Sequence, residues 1–256
     1  NPISNKNNKN NKNNKNNKNN KRESKIRVAF ISELLTKNSS VLRDRAGIIM
    51  NLPKEKYDVY ILGYTSSDKI KGNLVSHLKN KIGNNYICLS EDINETRKQI
   101  MDLDLNIIVY CEIGMIMKTL WLAYSRLAPI QCTTWGHSDT SGIDTIDYFI
   151  SSSYFETSED IAQTHYSEKL VLMKSLSTYY FPPSTSLIDA NVKMKRRREL
   201  GFSDTEHIYT CIQTSFKISH DFEYILGNIL KKDPHAKLLL SLYRPFSKTH
   251  LKRLEK

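Results

Sequence analysis

The sequence predicts an α/β fold, a parallel β-sheet covered by helices, repeated once. Three observations carry this. From residue 26 short β-rich runs alternate with helical runs, one of the middle strands is apolar enough to be fully buried, and the alternation breaks at Phe181-Pro182-Pro183-Ser184 and then restarts.

Residues 26–31 (IRVAFI) read as a first strand, 41–50 as a helix and 57–63 (YDVYILG) as a second strand. Residues 86–89 form a short strand, 91–103 a helix and 106–111 the buried strand. A helix over 118–127 is stopped by Ala128-Pro129, because a proline steers the residue before it away from helical backbone. Residues 130–134 and 148–150 are further strands, separated by a loop rich in Gly, Ser, Thr and Asp. After the proline break come a polar, basic stretch, a strand at 207–212, a helix at 220–231, a strand at 236–242 and a helix at 248–256. Two β-α pairs make a marginal sheet alone. The expected division is therefore a disordered tail over 1–25, a Rossmann-like half over 26–185, and over 186–256 a linker with the opening of a second such half. Both chain ends are expected to be the boundaries of a fragment.

Charge points first toward nucleic acid: 38 Lys+Arg stand against 27 Asp+Glu in 256 residues, a net +11. Its placement weakens that reading. Seven lysines and Arg22 against Glu23 put +7 in residues 1–25 and leave +4 for the rest. The Asn-Lys-Asn repeat from Asn5 to Asn20 has no apolar residues to bury, so this tail is expected to be disordered, with weak attraction to RNA or acidic surfaces as the sharper alternative. No run approaches the roughly eighteen uninterrupted apolar residues of a membrane span, since Glu112, Lys118 and Arg126 break the most apolar region. No membrane partner is expected. Nothing in the polar N-terminus resembles a secretory signal. Cys88, Cys111, Cys132 and Cys211 are widely spaced in apolar stretches and read as buried free thiols, which fits a cytoplasmic or nucleocytoplasmic location.

The nine glycines permit neither G-x-G-x-x-G nor a P-loop, and G-x-S-x-G and H-E-x-x-H are absent. Asp102-Leu103-Asp104 precedes the buried strand instead of following it and reads as a solvated turn. Lys193 to Arg198 (KMKRRR) reads as the exposed basic face of a helix ending near Gly201.

One polar segment stands directly after a strand: Trp135-Gly136-His137-Ser138-Asp139-Thr140-Ser141-Gly142. Ligands of open α/β sheets bind beyond the carboxyl ends of the strands, where Gly136 and Gly142 would permit close approach and the imidazole and hydroxyls would supply donors and acceptors. On chemistry alone a lone loop histidine is as well read as structural.

Taken with its neighbours the segment says more. RLAPIQ at 126–131, the 135–142 loop, IDYFISS at 146–152, HYSEKL at 165–170 and the later CIQTSFKISHDF at 211–222 occur in an order that resembles the catalytic region of the O-GlcNAc transferase family, its SPINDLY-like and bacterial branches included. The resemblance implies a GT-B architecture, two Rossmann-like halves facing across a cleft, and metal-independent transfer of a sugar, typically N-acetylglucosamine, from a UDP-sugar donor to Ser/Thr of an acceptor protein. No metal or other cofactor is expected. It implies Lys217 as the cation facing the departing diphosphate, Gln213 as a contact to uridine or diphosphate, and Trp135, Gly136 and Ser138 as the lining of the sugar pocket. Thr140 and Ser141 would orient that loop or contact the acceptor, and His137 would accept a proton or hydrogen-bond the acceptor. Three departures stand out. Thr36-Lys37-Asn38-Ser39 offers no histidine after the first strand, Asn106 stands where the family has a second one, and Glu112-Ile113-Gly114-Met115 resembles the bacterial branch. A degenerate, non-catalytic relative and a basic nucleic-acid-binding protein are the competing readings.

Overall fold

The computed structural model describes residues 25–36, 39–66, 72–137, 139–181, 197–214, 217–240 and residue 252. The chain falls into two compact units, Asn1–Pro182 and Pro183–Lys256.

The first unit is built on seven parallel strands: β1 (Ile26–Ile31), β2 (Tyr57–Gly63), β3 (Tyr86–Cys88), β4 (Ile107–Tyr110), β5 (Ile130–Thr134), β6 (Tyr148–Ser152) and β7 (Lys169–Met173). They lie in the order β3-β2-β1-β4-β5-β6-β7. The chain runs from β1 outward to β3, then returns to lay β4 on the other side of β1, pairing Val28 with Ile107 and Ile31 with Tyr110. That reversal opens a crevice beyond the carboxyl ends of β1 and β4. Helices α1 (Ser40–Asn51), α2 (Asn73–Ile82), α3 (Ile93–Met101), α4 (Met117–Ala123) and α5 (Glu159–Gln163) fill the connections.

Strand alternation divides the core between the two faces of the sheet. Val28 and Phe30 pack with Leu42, Ala46, Val75 and Leu78 from α1 and α2. Ala29 and Ile31 face the other way and join Ile100 and Leu122 from α3 and α4. Helix α1 starts where Ser39 accepts a hydrogen bond from the Leu42 amide at 3.1 Å. Helix α3 starts at Asp92, which accepts from the Asn94 and Glu95 amides, both at 2.9 Å.

Several expectations shift for identifiable reasons. Helix α4 ends at Ala123, four residues before its expected stop, because its next backbone pair is diverted: the Thr145 hydroxyl donates to the Ala123 carbonyl, and the Leu127 amide donates to Gln131 Oε1 at 2.8 Å. The sequence pattern carries no signal for α2, a polar ten-residue helix that buries only Val75 and Leu78. Nor did it show β7 as a strand, since HYSEKL reads as a turn; the turn stops at Glu168 and an edge strand follows. Of the cysteines, Cys111 and Cys132 are buried, whereas Cys88 is exposed because it ends the short edge strand β3, and Cys211 is half-buried. The Asp102–Asp104 turn is as expected, with Asp104 in the left-handed region at φ 49°.

In the second unit β8 (His207–Cys211) and β9 (Ala236–Leu240) pair in parallel, joined by α6 (His220–Lys232). Ser219 caps α6 by accepting from the Phe222 amide at 3.3 Å. Leu226 is buried against this small sheet, while Tyr224, Ile225 and Leu230 are exposed. Of the basic KMKRRR run, Arg197 and Arg198 open a single 3-10 turn (Arg197–Leu200) that ends at Gly201 with φ 82°. Residues 1–24, 193–196 and most of 248–256, which carry the tail, the rest of the basic run and the last expected helix, lie outside the described residues.

Gln131 provides a test of this packing. It is fully buried, accepts from Leu127 and donates through Nε2 to the Thr145 carbonyl at 2.8 Å. Gln131→Leu keeps the volume but strands an amide and a carbonyl, so it should cost about 2–4 kcal/mol in urea denaturation. An unchanged midpoint would contradict this account of the α4–β5 corner.

Candidate functional site

Beyond the carboxyl ends of β4 and β5 the structure forms a hollow of about 210 Å³, lined by Ile113, Gly114, Leu120, Thr133, Thr134, His137, Asp139, Thr140, Ser141 and Phe149. A second hollow, of about 160 Å³, lies at the opposite ends of the strands among Lys25, Lys54, Lys81 and the start of β2. Ligand chemistry in an open α/β sheet belongs to the carboxyl side, which favours the first.

The chain closes on itself at this hollow where Gly136 lacks a side chain. A Cβ at Gly136 would stand 2.1 Å from the Cys111 carbonyl oxygen and 2.6 Å from Glu112 Cα, so the 135–137 turn lies directly on the end of β4. Gly114, at φ 90°, presents its bare face to the His137 ring, 3.4 Å from where its own Cβ would be. The imidazole is half-exposed, with Nδ1 3.4 Å from Asp139 Oδ2. Thr133 and Thr134 line the hollow, but their hydroxyls donate to the Tyr110 and Ile150 carbonyls at 3.2 and 2.9 Å.

Thr140 and Ser141 meet at Glu168, which the motif reading quoted without giving it a role. Glu168 is 2% exposed. Its Oε2 accepts from the Thr140 hydroxyl at 2.6 Å, and its Oε1 accepts from the Ser141 amide at 2.8 Å and from the Ser141 hydroxyl. Burial works to raise this carboxyl, but the bonds from Ser141 and Thr140 outweigh it and hold the group below the usual carboxylate range. Two more carboxylates hold the same corner. Asp147 accepts from the Gln131 amide at 2.8 Å and from Arg126 at 2.6 Å. Glu156 accepts from the Ser151 hydroxyl at 2.6 Å and from the Tyr166 hydroxyl at 2.8 Å. At the crevice itself the fully buried Glu112 accepts from the Glu33 amide at 3.0 Å, tying the end of β4 to the loop after β1.

The remaining sequence candidates fall in different places. Trp135 turns away from the hollow: it packs against the Phe149, Ala162 and Leu170 cluster and meets Phe155 edge-on at 4.9 Å, with its indole nitrogen buried and unpartnered. Ser138 lies outside the described residues. Gln213 and Lys217 belong to the second unit. Gln213 is exposed and its Oε1 accepts from the Thr214 amide at 3.0 Å. Lys217 is exposed two residues before the α6 cap, its amide donating to the Thr214 carbonyl at 3.0 Å. The first turn of α6 already carries Asp221 and Glu223, which complement the helix N-terminus. Among the described residues no three His, Cys, Asp or Glu side chains come together in a way that could hold a metal ion, and no helix is long and apolar enough to cross a membrane.

The lowered Glu168 carboxyl has a pH signature. A group held below its unfolded value, here 4.5, contributes stability that is fully present above that value and is lost as pH falls through its folded value. Thermal unfolding between about pH 6 and about pH 3 should therefore show the wild type losing more stability than Glu168→Gln. Parallel losses in the two proteins would contradict the assignment.

No family model matches the chain. Over 116 residues, 44% of this chain and 12% of the other, it is 29% identical to an Arabidopsis thaliana protein described as probable UDP-N-acetylglucosamine–peptide N-acetylglucosaminyltransferase SEC. In three dimensions it is similar to a mutant of the Thermobaculum terrenum O-GlcNAc transferase, with a TM-score of 0.70 and 18% identity, over 91% of this chain and 42% of that one. The chain thus spans less than half the length of either relative. The order of its motifs resembles that of O-GlcNAc transferases, part of its sequence is similar to the plant relative, and its Rossmann-like fold is similar to that of the bacterial enzyme.

Proposed function

We propose that this chain is part of a UDP-sugar-dependent protein glycosyltransferase that moves a sugar, N-acetylglucosamine by its relatives' description, onto Ser or Thr of an acceptor protein. The observation that carries the reading is the hollow beyond β4 and β5. It lies on the ligand-binding side of the sheet, it is shaped by Gly114 and Gly136, and it is bordered by the half-exposed His137 and Asp139. The motif residues that resemble the transferase family build this corner. The relatives are described as transferring N-acetylglucosamine from UDP-N-acetylglucosamine to peptide and as an O-GlcNAc transferase, which supplies the chemical class.

Bond cleavage leaves negative charge on the UDP leaving group. In a metal-independent reaction that charge must be met by fixed cations and donors. Lys217 is the side chain proposed for this role, exposed just ahead of α6, with Gln213 as a contact to the nucleotide. In the first unit His137 is the group able to accept the acceptor hydroxyl's proton or to hydrogen-bond that hydroxyl, and Asp139 lies close enough to orient its Nδ1. Ser138 belongs to the same turn and is proposed to contact the sugar. The proposed location is cytoplasmic or nucleocytoplasmic, and the tail's positive charge is assigned no part in the reaction.

The test uses the full-length protein with UDP-N-acetylglucosamine and a Ser/Thr peptide acceptor. Turnover should be measurable, and Lys217→Ala should lower kcat on the order of a hundredfold or more. Unchanged kcat in that variant removes Lys217 from the mechanism. No UDP binding by calorimetry would favour a degenerate, non-catalytic relative.

A further inference from the structure

Glu168 is a charged group in an apolar corner, at the entry to β7, and a buried carboxylate persists only when donors surround it. Three of the donors found on it belong to one distant loop, the Thr140 hydroxyl, the Ser141 amide and the Ser141 hydroxyl, and the adjacent Ser167 hydroxyl donates to Oε2 at 3.2 Å. The base of the clamp is fixed in turn, because Gln163 of α5 donates to the Glu168 carbonyl at 2.9 Å and accepts from the Leu170 amide at 2.9 Å. Asp139 and Thr140 are exposed, and Gly142 turns the chain away at φ 65°.

A hydroxyl has a single proton to give. The Thr140 proton goes to Glu168 or to the Ser167 hydroxyl 2.9 Å away, itself bonded to Glu168, and a Thr140 lone pair accepts from the Ser167 amide at 3.0 Å. The Ser141 proton goes to Glu168 as well, and its oxygen accepts from the Ile143 amide at 3.3 Å. Neither hydroxyl has a proton left for a sugar or an acceptor, although both border the hollow. We propose that Glu168 is a positioning residue that fixes the 139–142 loop by consuming both hydroxyls, so that the ligand-facing groups of this loop are His137 and Asp139 rather than Thr140 and Ser141. Of the two roles expected for Thr140 and Ser141, this selects loop orientation over acceptor contact, and it adds Asp139 to the ligand-facing set. Its kinetic consequence rests on the transferase reading, whereas the clamp itself does not. Since the His137 ring lies against Gly114 as well as beside Asp139, loosening the loop should weaken ligand binding more than the chemical step.

Amide hydrogen exchange and steady-state kinetics on the full-length protein separate the two. In Glu168→Gln the Ser141 amide should lose about ten- to a hundredfold of its protection, with β5 and β6 unchanged. Thr140→Val, at an exposed position that threatens folding little, should release the Ser167 amide. With UDP-N-acetylglucosamine and a Ser/Thr peptide, both variants should raise KM for one of the two substrates about tenfold while kcat stays within about threefold. The double variant should be no worse than the more severe single one. Unchanged Ser141 exchange in Glu168→Gln, or activity that falls only in step with the folded fraction, overturns the proposal. Absence of turnover in the wild type would sink the transferase reading and leave the exchange result to decide the clamp.

Discussion

A carboxylate cannot be buried alone, and the buried Glu168, with the half-buried Asp147 and Glu156, organises the corner of the sheet around β5, β6 and β7. Glu168 gathers Thr140 and Ser141, Asp147 gathers Arg126 and the Gln131 amide, and Glu156 gathers Ser151 and Tyr166. The Glu168 and Asp147 links join residues 16 to 28 apart in sequence, and each link is stronger than a neutral bond because one partner is charged. Buried Gln131 does the same work without charge, ending α4 and fixing Thr145. Bound in this way, the loops after β5 and before β7 take one arrangement, and the hollow keeps its shape.

The shape also depends on what is missing. Without the bare face of Gly136 the 135–137 turn could not rest on Cys111 and Glu112, and the backbone beside the His137 ring takes the positive φ that Gly114 allows. The sheet supplies the rest: its reversal between β1 and β4 brings the ends of both strands together, and Glu112 bonded to the Glu33 amide closes that seam. The fold thus delivers a half-exposed histidine beside an aspartate to the mouth of a polar-rimmed hollow.

Much of this was legible in the sequence. Parallel strands buried on both faces read as β-rich or apolar runs, so β1, β2, β4 and β5 stand where the pattern puts them. What the pattern missed was held by few apolar residues: α2 buries only Val75 and Leu78, and β7 is a sheet edge whose residues are mostly not buried. The position of the site was readable as a polar, glycine-containing segment after a strand. The direction of each side chain was not. Trp135 packs into the core cluster beside Phe149, and the Thr140 and Ser141 hydroxyls are spent on Glu168. The one hint was a glutamate standing directly before an apolar strand, in Ser167-Glu168-Lys169-Leu170, where an unpaired charge would be costly.

The central claim is that the hollow held by these carboxylates receives the reacting groups. A crystal structure of the full-length protein with UDP-N-acetylglucosamine and a Ser/Thr peptide tests it most directly. The account predicts sugar or acceptor atoms within hydrogen-bond distance of His137 or Asp139, with Thr140 and Ser141 still bonded to Glu168. Ligand placed at the opposite ends of the strands, or direct donation from the Thr140 or Ser141 hydroxyl to the sugar, would contradict it.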